Sequence, residues 1–322
     1  MLREERSEKT AYILMISVIF LWGFEYVVAK RALIEISTMS LVCLKYSIGV
    51  ISLLCLKFAT RTKFKFRKKD IFTLIACAVF GDILYFACEY KAMSYLPVSV
   101  ITVILAFVPA VSVLFERFAY HRKANARIYG GIAAGIVGVA LVIGVNLGLF
   151  FSGAVLGYVL TISAVFLWNI YNFFTAKLVR DYQPLDLALY QTVCAALLSL
   201  PFLLRDLPPL SVFTGEVLAS VLYLGVISEG LCFIIYVYSI KALGPTRVSV
   251  FSNMLTITST FFGWLMLGEQ IKALQLVGAG VVIVSACVVI LEKGKLMKQY
   301  GPETYPVGRP GHPSSGPEDD QR

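Results

Sequence analysis

Charged residues are scarce in this sequence. They make up 15% of its 322 residues, whereas a soluble domain carries roughly 25%. Hydrophobic residues account for 58%, and the mean hydropathy is +0.78. This balance excludes an ordinary soluble domain and indicates an integral membrane protein, whose surface faces hydrocarbon rather than water.

Residues that build metal sites and catalytic centres are also few. The two histidines, His121 and His312, fall in a loop and in the C-terminal tail. Seven cysteines are present, but all fall in apolar runs, and their spacing matches neither a metal site nor an obvious disulfide pair. The sequence has no GxSxG, HExxH or P-loop motif. We therefore expect no metal, no cofactor and no enzymatic activity.

Apolar runs of about 20 residues, the length of a helix that crosses a bilayer, recur along nearly the whole chain. They predict an all-α integral membrane protein with ten transmembrane helices, preceded by a cytoplasmic segment at residues 1–10. The first run is too long for a cleaved signal peptide, and no small-residue cleavage site follows it. The predicted spans are residues 11–33, 38–58, 71–91, 97–117, 127–147, 153–177, 184–204, 214–240, 246–267 and 272–292.

The sequence contains an internal repeat. The segment "ISVIFLW" at 16–22 matches "ISAVFLW" at 162–168 in five of seven positions, at an offset of 146 residues. Two five-helix repeats follow, at residues 11–147 and 153–292. Because five is an odd number, the second repeat must cross the membrane in the opposite sense to the first. Inverted repeats of this kind are typical of secondary transporters, whose substrate site lies at mid-membrane between the halves.

The distribution of Lys and Arg predicts the orientation, because loops rich in these residues stay in the cytoplasm. If the N-terminus is inside, 23 of the 29 Lys and Arg residues lie on the inner side, five lie outside, and Lys45 lies within a span. Both termini are therefore predicted to be cytoplasmic, and the plasma (inner) membrane is the expected location.

The same distribution accounts for the net charge of +9 without a nucleic-acid partner. The run "RTKFKFRKK" from Arg61 alternates basic residues with Phe, which in a soluble protein suggests an RNA-binding patch. Beside a span it is more simply a contact with anionic lipid headgroups. The segment 293–322 is rich in Gly, Pro and Ser, which predicts a disordered cytoplasmic tail.

The segments "FLWGFEYVVAK", "KYSIGVISLL", "LAFVPAVSVLF" and "GWLMLGEQIKALQLVGAGVVIVS" resemble the EamA-type drug/metabolite transporters. The resemblance covers residues 11–292. It implies a ten-helix transporter in which the first four helices of each half line a central cavity and the fifth packs at the periphery. The chain departs from the family pattern at Phe24 and Glu25, where a small or amide residue is common, and at Tyr120 and His121, where a second "GE" would stand. The first departure changes the charge of the expected cavity.

Ionisable side chains inside a span cost about 2.5–3.5 kcal/mol each on insertion scales, so each one present requires a reason. The repeat places Asp82 of the first half opposite Glu229 of the second, so both halves aim a carboxylate inward at matching depth. The four ionisable residues well inside the predicted spans are Glu25, Lys45, Asp82 and Glu229.

Helical spacing places aromatic side chains on the same faces as the carboxylates of the first, third and eighth spans, and it gives the sixth and ninth spans comparable faces with aromatic and amide side chains. Gln191 is the repeat counterpart of Lys45. Carboxylates among aromatic rings suit an organic cation, through charge pairing and cation–π contact. A carboxylate removed from water favours its protonated form, so Glu25, Asp82 and Glu229 are the predicted proton-coupling residues. The predicted substrate-binding residues are Trp22, Glu25, Tyr26, Lys45, Asp82, Tyr85, Trp168, Tyr171, Asn172, Gln191, Glu229, Phe233, Tyr236 and Asn253.

Simpler structural interpretations stay open at this point. Glu25 and Lys45 also fit a structural ion pair between adjacent helices, and the aromatic residues also fit ordinary helix packing. Glu89 lies near the predicted outer interface, where charge is tolerated, and is expected to be a surface group. Gly131 and Gly135 form a small-residue face that is expected to pack a helix, so a monomer and a homodimer are both compatible with the sequence.

The predicted function is a secondary active transporter of a small organic solute. Its favoured form is an exporter of cationic or zwitterionic amine metabolites, amino acids or drugs by proton antiport with alternating access. A facilitative carrier or importer of a nutrient such as a quaternary amine has the same architecture. A membrane scaffold or enzyme is the alternative without transport. The expected partners are the solute, protons and the lipid bilayer.

Overall fold

The computed structural model describes residues 2–120, 125–143, 154–179, 181–243, 248 and 251–300, and within these ranges the regular structure is entirely helical. Uninterrupted helices are α1 (Leu2–Glu35), α2 (Thr38–Thr60), α5 (Ala126–Ile143), α6 (Ala154–Leu178), α7 (Pro184–Arg205), α9 (Leu255–Leu267) and α10 (Ala273–Tyr300). Three helices are composite: α3 (Ile71–Cys77, Ala78–Leu84 and Tyr85–Ala92), α4 (Val98–Leu105 and Val108–Tyr120) and α8 (Gly215–Leu222, Tyr223–Cys232 and Phe233–Leu243).

Eight of the helical segments in the described part of the chain are long and apolar enough to cross a membrane. The other two apolar helices, in α5 and α9, are shorter. Large apolar side chains such as Phe72, Leu204 and Val284 are exposed on the outside of the bundle, as expected where lipid replaces water. The predicted all-α membrane fold with about ten helices is confirmed.

Two helices extend beyond the predicted spans. Helix α1 begins at Leu2 and so includes most of the predicted N-terminal segment, and α10 continues to Tyr300. Residues 293–300, which we expected to belong to a disordered tail, are therefore helical. The reason is local, because Lys, Leu, Met and Gln are good helix formers and continue a helix that is already formed before residue 293. Residues 301–322 lie outside the described part of the chain.

Equivalent helices of the two halves make equivalent packing contacts with the opposite half. Helix α1 packs on α8 and α9, and its counterpart α6 packs on α3 and α4. Helix α2 packs on its own counterpart α7, and α5 packs on its counterpart α10. The packing of equivalent helices therefore follows the repeat seen in the sequence.

Helices α3 and α8 each contain a π-helical stretch at the same place in the repeat. The stretches are Ala78–Leu84 in α3 and Tyr223–Cys232 in α8. A shift of 147 residues moves the first stretch to 225–231, which falls inside the second. π-helical turns are rare and are found mostly at functional sites. Asp82 and Glu229 lie in these two stretches.

A second pair of irregularities interrupts the helices of the fourth and ninth predicted spans. Ala106 and Phe107 form a turn between the two parts of α4, and Asn253 and Met254 form a turn immediately before α9. The two turns are again 147 residues apart. Irregular backbone at membrane depth is tolerated where it is buried in protein or lines a cavity, so these turns point to the centre of the bundle.

Glycines bring α5 and α10 into close contact. A Cβ atom at Gly278 would lie 2.7 Å from the backbone O of Gly138, so only glycine permits this approach. The face predicted at Gly131 and Gly135 also packs inside the chain, with Gly131 against Val289 of α10. These small residues are therefore used within one chain.

The seam between α2 and α7 is closed near both ends. The Lys57 Nζ atom lies 2.5 Å from Oδ1 of Asp186, and both side chains are fully buried. Near the other end, the Ser40 hydroxyl donates to the backbone O of Asp206 at 2.6 Å. These contacts join the first half to the second through residues that do not line the central cavity.

Candidate functional site

A cavity of about 440 Å³ lies between the two halves of the bundle. Its walls come from α1, α2, α3, α4, α6, α8, the start of α9 and α10, together with Ser252 and Asn253 just before α9. The expected pattern, with the first four helices of each half as lining, holds only in part. No side chain of α7 faces this cavity, whereas Val289, Ile290 and Lys293 of α10 do.

Twelve of the fourteen side chains that the sequence predicts line this cavity. The two exceptions, Tyr171 and Gln191, lie behind its wall. The Tyr171 hydroxyl donates to Oε1 of Gln191 at 3.4 Å, and the Tyr171 ring packs on Gly81 of α3. The lining residues among the predicted set are Trp22, Glu25, Tyr26, Lys45, Asp82, Tyr85, Trp168, Asn172, Glu229, Phe233, Tyr236 and Asn253.

Lys45 is the most buried charge of the cavity wall, with an exposed fraction of 1%. Its Nζ atom lies 2.8 Å from Oε1 of Glu25 and 3.9 Å from Oε2 of Glu229. The same atom lies 3.6 Å from the centre of the Phe86 ring. The ammonium is therefore held by carboxylates from both halves and by one aromatic face.

Glu25 accepts hydrogen bonds from donors on three other helices. Besides Lys45 of α2, its Oε1 atom accepts from the Tyr90 hydroxyl of α3 at 3.2 Å. Its Oε2 atom accepts from the Ser228 hydroxyl of α8. The Trp22 indole, one turn earlier on α1, donates to the backbone O of Ser228 at 3.4 Å. These contacts tie α1 to the π-helical stretch of the second half.

The two carboxylates in the π-helical stretches are buried to the same extent, each with an exposed fraction of 7%. Oε1 of Glu229 accepts from the Thr192 hydroxyl at 3.0 Å. Oδ1 of Asp82 accepts from the Tyr46 hydroxyl at 3.3 Å, while Oδ2 of Asp82 has no hydrogen-bond partner among the described residues. A buried carboxylate oxygen without a donor is an unfinished site, which a proton or a ligand cation would complete.

Glu89 corrects one prediction, because it is not a surface group. Its side chain is 2% exposed and lines the cavity, and its Oε1 atom accepts from the hydroxyls of Tyr26 at 2.8 Å and Tyr85 at 2.7 Å. The sequence spacing does indicate that Glu89 faces the cavity, since it follows Asp82 by seven positions and lies on the same helical face. The predicted end of the third span, at residue 91, places Glu89 too close to the membrane surface.

Aromatic side chains form much of the remaining wall. The Trp22 and Tyr236 rings lie 5.2 Å apart, and the Tyr85 and Trp168 rings lie 4.8 Å apart, between their centres. Both distances are typical of packed aromatic pairs. Asn253, in the turn before α9, is 5% exposed and its Nδ2 atom has no partner in the described part of the chain. The wall therefore offers aromatic faces, acceptors and one free amide donor.

In the described part of the chain, the exposed residues that line the cavity lie at one end of it. Its lining includes the exposed residues Asn172, Ala176 and Lys177 near the C-terminal end of α6. At the opposite end the lining residues Tyr90 and Met93 are buried. The open end is the side that the distribution of basic residues predicts to be cytoplasmic.

A carboxylate closes the opposite end of the bundle. Glu269, between α9 and α10, accepts from the backbone N–H of Val98 at 2.6 Å and of Ser99 at 3.1 Å, at the start of α4. It also accepts from the Ser99 hydroxyl at 2.9 Å and pairs with Lys30 of α1 at 3.0 Å. We call these four residues the Glu269 latch. The latch joins the second half to α1 and α4 of the first, where a helix N-terminus favours negative charge.

The pKa of Glu269 is held below its ordinary value. Burial raises this pKa, but the donors on Ser99 and Val98 and the charge of Lys30 outweigh the effect of burial. A carboxyl whose pKa is lower in the folded state stabilises that state above its unfolded pKa. This contribution is lost as the pH falls through the folded pKa.

We expect Glu269→Gln to lower the melting temperature of the detergent-solubilised protein at neutral pH, because the amide lacks the charge that Lys30 and the α4 N-terminus favour. The deficit against the wild type should begin to shrink as the pH falls below the unfolded pKa of about 4.3, and it should shrink further through the lowered folded pKa, where the wild-type carboxyl also becomes neutral. The exposed neighbour variant Gln270→Ala is the control and should show no deficit. A deficit for Glu269→Gln that is independent of pH would contradict the electrostatic latch.

The EamA-like transporter family model matches the chain twice, at residues 9–144 and 155–291. The chain is 22% identical over 266 residues to the uncharacterized transporter YoaV of Bacillus subtilis (strain 168), covering 82% of this chain and 91% of that protein. It is 24% identical over 286 residues to a probable amino-acid metabolite efflux pump of Salmonella typhimurium (strain LT2), covering 85% and 92%. One solved crystal structure superposes with a TM-score of 0.64 at 17% identity, over 88% of this chain and 98% of that chain.

Proposed function

The chain belongs to the EamA-like transporter family, and from this premise we propose that it carries a small cationic or zwitterionic amine across the membrane by alternating access, in exchange for protons. It is a multi-pass integral membrane protein, and its relatives are named as transporters. The family match leaves three properties open: the chemistry of the solute, the coupling ion and the direction of transport.

The observation that carries the proposal is the balance of charge in the buried part of the cavity. Among the described residues, four buried carboxylates line it, and the one fully buried ammonium is that of Lys45. Lys177 and Lys293 also line the cavity, but towards its open end. Uncompensated charge is costly away from water, so protons or a ligand cation must supply the missing positive charge. The four carboxylates belong to Glu25, Asp82, Glu89 and Glu229.

The aromatic walls favour the organic cation over a bare metal ion. Faces of Trp22, Tyr85, Phe86 and Trp168 line the same space as the carboxylates. An ammonium group over such faces gains cation–π attraction, which grows when water is excluded. The free Nδ2 donor of Asn253 also lines the cavity and gives a zwitterion a place for its carboxylate.

Proton coupling follows if the same carboxylates bind either a proton or the amine. Glu25 already has Lys45, Tyr90 and Ser228 as donors, whereas Asp82 has a single donor at 3.3 Å. We therefore expect Asp82 to exchange its proton most readily, with Glu229 as its counterpart in the second half. Competition for one site is the simplest basis of antiport. The relative named as an amino-acid metabolite efflux pump supports export as the direction.

We further propose the plasma membrane as the location, with both termini and the open end of the cavity facing the cytoplasm. Phe64, before α3, and Leu207, after α7, are both exposed and fall on opposite predicted sides. In a variant without native cysteines, Leu207→Cys should react with a membrane-impermeant maleimide in intact cells, and Phe64→Cys should react only after lysis. The reverse labelling pattern would contradict the orientation.

Proteoliposomes test the substrate class and the coupling together. We expect labelled choline, L-arginine or L-phenylalanine to accumulate when the lumen is more acidic than the outside. One-for-one exchange gives about tenfold accumulation per pH unit. Succinate, an anion, should not accumulate. The variants Asp82→Asn, Glu229→Gln and Glu25→Gln should lose this response to the pH gradient, because each removes a carboxylate that takes the proton.

Asp186→Asn is the matched control, since Asp186 is equally buried but pairs with Lys57 away from the cavity. It should keep the response to the pH gradient. If all three cavity variants also keep it, proton coupling through these residues is wrong. If wild-type flux ignores the gradient, the protein is a facilitative carrier, and if succinate moves while no amine does, the substrate class is wrong.

A further inference from the structure

The Lys45 side chain is bound in the cavity wall as a substrate ammonium would be. We propose that Lys45 is a tethered substitute for the substrate: its ammonium fills the ammonium subsite of the empty carrier, and an incoming amine displaces it. This inference rests on the proposed function and assigns a role to a residue that a proton-coupled carrier does not otherwise require.

The contacts of the Lys45 ammonium are those expected for an organic cation in a binding site. Carboxylates of Glu25 and Glu229 flank Nζ at 2.8 and 3.9 Å, and the Phe86 ring lies 3.6 Å from it. The rings of Tyr46 and Tyr90 follow at 5.7 and 5.9 Å. All three ring distances are within the roughly 6 Å range of cation–π attraction. The subsite is therefore complete, and its occupant is part of the chain.

The repeat shows that the fold does not need a charged pair at this place. An offset of 146 residues carries Glu25 to Tyr171 and Lys45 to Gln191, on the corresponding helices α6 and α7. There the two helices are joined by a neutral hydrogen bond of 3.4 Å between Tyr171 and Gln191. The neutral pair lies behind the cavity wall, and the charged pair lines the cavity. This difference argues against a purely structural ion pair at Glu25 and Lys45.

The position of the subsite explains why its occupant affects transport. Glu25 and Lys45 belong to the first half, whereas Glu229 and the Ser228 donor belong to the second. Alternating access moves one half against the other around this point. At alkaline pH, where protons are scarce, an empty carrier without Lys45 would have to reorient with two uncompensated carboxylates away from water, which is strongly disfavoured. With Lys45 in place, the empty carrier is compensated, and the flexible lysine chain can withdraw when an amine arrives.

Lys45→Gln tests this directly, with choline as a permanently charged probe and 3,3-dimethylbutan-1-ol as its neutral isostere. At about pH 8, where protons compete less with choline for the carboxylates, the variant should bind choline at least about tenfold more tightly than the wild type, because no resident cation competes. Binding of the neutral isostere should not tighten. Choline exchange between two choline-containing compartments should persist, while net choline efflux should fall by at least about tenfold relative to exchange.

Lys57→Gln is the matched control, because Lys57 lies on the same helix, is equally buried and ion-paired, and does not line the cavity. It should neither tighten choline binding nor separate net efflux from exchange. If the single Lys45 variant does not fold, the comparison moves to the Glu229→Gln background. There, adding Lys45→Gln leaves one carboxylate in the subsite and should again tighten choline binding.

The inference is overturned by unchanged or weaker choline binding in Lys45→Gln, by equal losses of net efflux and exchange, or by the same split in Lys57→Gln. Choline binding by the variant but not by the wild type supports it, since a resident cation then excludes the probe. Absence of choline binding to both proteins also overturns it. The proposed function is judged separately, by wild-type flux of the whole amine panel, so the two can fail independently.

Discussion

A buried ammonium must be surrounded by acceptors, and this requirement organises the centre of the molecule. Lys45 sits in a dry interior and is 2.8 Å from Glu25, which in turn takes donors from α3 and α8. Removing either partner of such a pair leaves an uncompensated charge, which is far more costly than the pair itself. The helices that supply the acceptors must therefore converge, and the cavity forms where they meet.

The two halves share a backbone plan but differ in the chemistry placed on it. Both contain a π-helical stretch with a carboxylate, and both contain a helix interruption 147 residues apart. Among the described residues, the charged pair lies on the first two helices of the first half, and the carboxylate of the Glu269 latch comes from the second half. Under the proposed alternating access, the symmetric backbone gives two related ways of opening, and the asymmetric residues determine which contacts break first. In the conformation described, the latch is closed and the cavity opens at the other end.

Much of this organisation could be predicted from the sequence, because each signal depends on a single strong effect. Apolar runs predict the spans, the offset of 146 residues predicts the repeat, and ionisable residues inside spans predict the charged part of the cavity wall. Other features depend on how helices rotate and bend, which the sequence pattern does not encode simply. Gln191 is predicted to line the cavity because it is the repeat counterpart of Lys45. In the structure, α7 directs the Gln191 side chain away from the cavity. Glu89 was assigned to the surface because depth was read from an approximate span end, while tyrosine donors hold it inside.

The central claim is that the carboxylates around Lys45 form the ammonium site of the carrier. An experimental structure of the wild-type protein with bound choline tests it most directly. We predict the choline nitrogen between Glu25 and Glu229, within about 6 Å of the Phe86 ring centre, with Lys45 Nζ displaced from its 2.8 Å contact with Glu25. Choline bound elsewhere in the cavity, with that Lys45 contact intact, would contradict the claim.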